Sequence, residues 1–176
     1  FPLHLIPCWV FNEKCHLGIT GGTVLDLSVL IGEIDMITSS GIDLKKRLFI
    51  SPRAHVIMPY HKILDGIYEE AKGPAKTGTT RRGIGPCYAD KVSYNGIRLE
   101  DLANTKIFQE KLKLQLEIKN QIIRALDTKP ALVASSTLNA KERKQISEEM
   151  ARQKKTLDFG WIYDEMMTEY EKLARA

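Results

Sequence analysis

A chain of 176 residues, 43% hydrophobic and 27% charged, can bury roughly 70% of its unfolded surface in one domain. It has no apolar run near the ~20 residues a membrane helix needs. The net charge of +4 and the pI near 8.9 suit an anionic small molecule at least as well as nucleic acid.

The opening FPLHLIPCWV holds two prolines and no basic leader, so it does not read as a secretion signal. Beginning on Phe1 inside an apolar run, the chain reads as one piece of something longer. Leu3 to Phe11 is apolar and β-prone but broken by Pro7, which predicts an edge strand or a bent hairpin arm. CHLGIT is a second short strand, and Gly21-Gly22 a turn or a close backbone approach. From Val24 to Ser39, Leu27, Leu30, Ile31, Ile34 and Ile37 recur at helical spacing, with Gly41 as the stop. RLFIS (47–51) is a compact strand, and Tyr60 to Lys72 predicts a helix with Ile63, Leu64 and Ile67 on one face, broken by Gly73-Pro74.

This alternation argues for a layered α/β domain. Phe108, Leu112, Leu116 and Ile123 mark a long helix from about Lys106 to Leu126, and Ile162, Met166, Tyr170 and Leu173 another near the end. Between them, Asn139 to Lys155 mixes both signs of charge without interleaved aromatics, as a solvated helix does and a nucleic-acid patch does not. The organisation expected is a single incomplete domain over 1–176: strand and helix alternation in 1–75, a phosphate-type loop in 76–98 and a mostly helical part in 99–176.

Cys8, Cys15 and Cys87 are odd in number and lack the paired spacing of a zinc site, so they read as packing residues in a reduced, cytosolic setting. His4, His16, His55 and His61 are scattered, and His55 and His61 miss the i, i+4 spacing of a helical metal pair. They read as core or surface histidines.

KTGTTRRGIGPCYADKV (76–92) concentrates glycine, threonine and arginine as no other stretch does. Gly78, Gly83 and Gly85 let the backbone approach a ligand without Cβ interference. Thr79 and Thr80 add hydroxyls, and Arg81 and Arg82 add forked positive charge suited to phosphate or carboxylate. The stretch does not match the GxxxxGK[ST] loop, because no lysine and hydroxyl residue follow the second glycine. The residues alone leave two readings open, an anion cradle and an exposed turn whose arginines face water.

GTTRRGIGPCYADKV, followed by NGIR and a nearby Asp-Leu, closely resembles the inosine monophosphate loop of the adenylosuccinate synthetase family. RLFIS, RAHVIMPYHKILDG and LDFGWIYDEMMTEYEKLAR are similar to the same family, so the resemblance covers most of the chain and is weakest from Asp127 to Thr156. It implies part of a mainly parallel sheet with flanking helices and a helical second half, an incomplete P-loop-NTPase-like synthetase domain. It also implies a GTP-dependent ligase of purine (AMP) biosynthesis joining inosine monophosphate to L-aspartate, cytoplasmic and homodimeric, with neither nucleic acid nor membrane as partner.

By the same resemblance, Thr80 matches the threonine that binds the substrate phosphate, beside Thr79, and Arg82 and Lys91 match basic positions of that loop. Tyr94 stands where the family carries an arginine that reaches the partner's nucleotide, and Thr20-Gly21-Gly22 where it usually reads Gly-Asn-Gly. The loop that holds magnesium and GTP, with the general base and general acid, would precede Phe1, and the aspartate and guanine segments would follow Ala176. No catalytic or metal residue is therefore expected in this chain, which on this reading does not turn over alone. The alternative is a catalytically dead remnant acting as a weak nucleotide-binding or oligomerisation module.

Overall fold

The computed structural model describes residues 2–126 and 158–176. The elements are β1 (Leu17–Ile19), β2 (Val24–Leu25), α1 (Leu27–Ser39), β3 (Leu48–Ile50), β4 (His55–Val56), α2 (Pro59–Ala71), α3 (Ile84–Val92), α4 (Leu99–Leu102), α5 (Thr105–Leu126) and α6 (Phe159–Arg175). The solvated helix expected at 139–155 lies outside the described residues.

The strands form two parallel pairs. β1 lies beside β3 with Leu17 opposite Leu48, and β2 beside β4 with Val24 opposite His55. Each pair brackets α1, a strand–helix–strand crossover of the kind parallel pairing requires. The α/β architecture with parallel strands and flanking helices is the expected one. One core gathers Leu17, Leu25, Leu30, Ile37, Val56, Tyr60, Leu64, Phe108, Leu112 and Ile162 from strands and helices alike.

Leu3–Phe11 is not a strand. The buried Glu33 carboxylate of α1 accepts the amides of His4, Leu5 and Ile6 at 2.6 to 3.1 Å, so those donors are not offered to a neighbouring strand, and Cys8–Phe11 winds into a 3-10 turn. The helix expected from Val24 begins at Leu27, because Val24 and Leu25 pair with β4 and the Asp26 carboxylate caps α1. That carboxylate also meets Lys62 of α2 at 2.7 Å. Asp26→Ala should therefore lower stability by about 1 kcal/mol, the usual worth of a cap, read as a lower urea midpoint with an unchanged m-value.

Among the described residues no helix is long and apolar enough to cross a membrane. The three cysteines are free. Cys87 packs as expected, and burial pushes its thiol up to about 12. Cys8 is exposed instead, because the turn carrying it buries only Val10.

Candidate functional site

The stretch 76–98 is not a loop throughout. Residues 84–92 form α3, although it contains Gly85 and Pro86. Pro86 sits in the first turn, where its missing N–H costs no intrahelical bond, and Gly83 precedes the helix in the left-handed region at φ 76°. A Cβ at Gly83 would lie 2.8 Å from the backbone of His61 and of Lys62. The start of α3 is thus pressed against the first turns of α2.

The residues singled out from the sequence divide between the two ends of this helix, which stand about 12 Å apart at a rise of 1.5 Å per residue. At its N-terminal end Thr79 donates to Asp65 Oδ1 at 2.8 Å, and Arg81 pairs with Glu70 at 2.8 Å. Thr80 and Arg82 are exposed, and among the described residues neither side chain has a hydrogen-bond or ion-pair partner. Among the described residues no side chain caps α3, so its first amides and the partial positive charge of the helix start are left without a side-chain acceptor.

At the C-terminal end the Lys91 ammonium is already engaged, donating to the carbonyls of Gly21 at 2.9 Å and Gly22 at 2.7 Å. The Thr20-Gly21-Gly22 turn is thereby fastened to α3. Tyr94 follows with positive φ (63°) and is 95% exposed. Lys91 and Tyr94 line an open cavity of about 430 Å³ with Arg53, His55 and Arg98, and among the described residues no carboxylate lines it. His55 is buried, its Nδ1 has no partner among the described residues, and burial followed by the Lys91 and Arg98 charges lowers its pKa.

Beneath α3 lies a buried polar network that sequence reasoning missed. The Met58 amide donates to His61 Nδ1 at 2.9 Å, so the proton sits on Nε2, which donates to Asp90 Oδ2 at 2.9 Å. Lys119 of α5 pairs with the other Asp90 oxygen. Burial alone would raise the Asp90 carboxyl, but the hydrogen bonds from His61 and Lys119 outweigh it and hold it below the ordinary value. Burial lowers His61 despite Asp90 beside it, keeping the ring neutral. The signal available in the sequence was an Asp and a Lys on the apolar faces of two helices. Their partnership spans 29 residues and emerges only when α2, α3 and α5 pack together.

Among the described residues no group of three His, Cys, Asp or Glu is arranged to hold a metal ion. What the segment can do chemically is bind: an exposed hydroxyl and an exposed guanidinium, neither engaged among the described residues, lie within four residues of the uncapped start of α3.

The comparisons with known proteins agree with one another. The family model described as adenylosuccinate synthetase matches residues 1–171. The chain is 49% identical over 122 residues to the adenylosuccinate synthetase of Chlorobium chlorochromatii, covering 69% of this chain and 28% of that one. It is 50% identical over 135 residues to that of Clostridium botulinum, covering 72% and 31%. The structure is similar to that of fully ligated adenylosuccinate synthetase from Plasmodium falciparum, with a TM-score of 0.59 and 26% identity over 95% of this chain and 38% of that one. The chain thus spans less than a third of the length of these curated relatives, while the family model's match takes in both strand pairs and α3 and runs into the last helix. On these grounds the chain belongs to the adenylosuccinate synthetase family.

Proposed function

We propose that this chain supplies part of the inosine monophosphate site of an adenylosuccinate synthetase, the ligase that joins inosine monophosphate to L-aspartate at the expense of GTP, with turnover completed by the portions of the relatives' length that it does not span. The observation that carries the reading is that Thr80 and Arg82, both exposed and neither engaged among the described residues, directly precede the uncapped start of α3. In this assignment Thr80 and Arg82 touch the phosphate, and Thr79 buttresses them through Asp65. Lys91 fixes the Gly21-Gly22 turn, and Tyr94 stands at the rim of the basic cavity. Magnesium and GTP belong to the family's reaction.

A homodimer fits the outer face of α3, where Ile84, Tyr88 and Val92 stand exposed at successive i+4 positions beside Tyr94. Contiguous exposed apolar side chains of this kind are characteristic of interfaces. The free cysteines accord with a cytosolic setting.

Calorimetric titration with inosine monophosphate tests the assignment. Thr80→Val should weaken binding roughly tenfold, the worth of a hydrogen bond to a charged group, while guanosine monophosphate binds less well than inosine monophosphate. Equal affinity of Thr80→Val and wild type would sink the reading. Tyr94→Arg should tighten binding only at concentrations where the protein is dimeric.

A further inference from the structure

The 79–83 bend owes its shape to one carboxylate on α2. Asp65 Oδ1 accepts from the Thr79 hydroxyl at 2.8 Å, and Asp65 Oδ2 accepts from the Gly83 amide at 2.9 Å. The Thr79 oxygen in turn accepts from the Arg81 amide at 3.2 Å, and Arg81 is held at φ 55°, a conformation unfavourable for a non-glycine residue. A single side chain thus closes both ends of the five-residue bend and, through Thr79, stabilises its strained middle. Among the described residues, Thr80 and Arg82 are the two inside the bracket whose side chains have no partner.

Asp65 is also one of a row. His61, Asp65 and Glu69 follow one another at i+4 spacing, hence on one face of α2. His61 holds Asp90 near the end of α3. Glu69 accepts from the Thr77 hydroxyl and the Gly78 amide, and its carboxyl is held down to about 2, chiefly by the hydrogen bond from Lys72. One helix face therefore fixes the chain at residues 77–78, at 79 and 83, and at 90.

We propose that Asp65 is a positioning residue for the monophosphate site: it touches no ligand, and it bends 79–83 so that the Thr80 hydroxyl and the Arg82 guanidinium meet one phosphate. The inference rests on the function proposed above. A bare charge argument predicts the opposite sign, because a carboxylate close to a phosphate repels it and its removal would tighten binding.

The test compares Asp65→Ala and Asp65→Asn with wild type by inosine monophosphate titration and by exchange of the Gly83 amide. Asparagine can still accept from the Gly83 amide through its oxygen and donate to the Thr79 oxygen through its amide, so it preserves the bracket without the charge. Asp65→Ala is expected to bind roughly tenfold more weakly and to exchange Gly83 at least tenfold faster, while Asp65→Asn stays within about threefold of wild type in both. Thr79→Val, which removes one arm only, should fall between them and serves if Asp65→Ala does not fold.

Binding by Asp65→Ala as tight as wild type or tighter, or an Asp65→Asn as impaired as Asp65→Ala, would overturn the proposal. Should wild type itself not bind inosine monophosphate, the functional assignment fails. Gly83 exchange then decides the bracket alone, unchanged protection in Asp65→Ala refuting it.

Discussion

Gly83→Ala should destabilise the protein by about 3 kcal/mol or more, through two effects that act together. An alanine at φ 76° pays roughly 1–2 kcal/mol for the left-handed conformation. Its Cβ would also lie 2.8 Å from backbone atoms of His61 and Lys62, so relief requires α3 to move off α2 rather than a side chain to rotate. That movement would stretch the Gly83–Asp65 bond and the His61–Asp90 contact together. Thermal unfolding measures the outcome, and a loss of this size in a domain of this length corresponds to a drop of roughly 6 °C or more in Tm. Gly85→Ala is the control, since a Cβ there meets nothing within 4 Å. It should match or slightly exceed wild type, because alanine is the better helix former. If Gly83→Ala and Gly85→Ala unfold together, the close approach of α3 to α2 is refuted.

Asp90→Ala should cost 3–5 kcal/mol, the usual penalty, to order of magnitude, for breaking a buried ion pair on one side. It leaves the Lys119 ammonium, 5% exposed, without its counter-charge and the His61 Nε2–H without its acceptor. The network itself need not be strongly stabilising, since removing both charges from a buried pair can be nearly neutral. The double variant Asp90→Leu/Lys119→Met should therefore lie closer to wild type than Asp90→Leu alone, a coupling that a double-mutant cycle in urea would measure. Additive effects of the two substitutions would show that the pair does not interact.

The same network sets a pH dependence. The folded pKa of His61 lies below its ordinary 6.5, so as pH falls past that value the unfolded chain takes a proton that the folded one refuses, and stability declines. Asp90, also depressed in the fold, contributes stability above the ordinary carboxylate value of 3.8, which is lost as pH falls through its lower folded value. Both groups act in the same direction. The denaturation midpoint should fall between pH 7.5 and 5.5, fall again below pH 4, and show a flatter first limb in His61→Gln. A midpoint that rises on acidification to pH 5.5 would contradict the neutral, Nε2-protonated ring.

Which elements form was largely written in the residues themselves. Ile63, Leu64 and Ile67, and then Phe108, Leu112 and Leu116, placed α2 and α5 within a residue or so of their ends, because apolar periodicity is a local property of each helix. The Thr–Arg–Gly composition of 76–92 and the resemblance it carries identified the family, for the same reason that no long-range geometry is needed to read them. Packing alone decided the rest. It made a helix of IGPCYADKV where glycine and proline suggested a loop, and it drew the amides of His4–Ile6 to Glu33 instead of into a strand. It also separated two neighbouring threonines, committing Thr79 to Asp65 and leaving Thr80 free, and it spent Lys91 on the Gly21-Gly22 carbonyls. Donors and acceptors choose partners by distance in space, and those distances exist only once α2, α3 and α5 are docked.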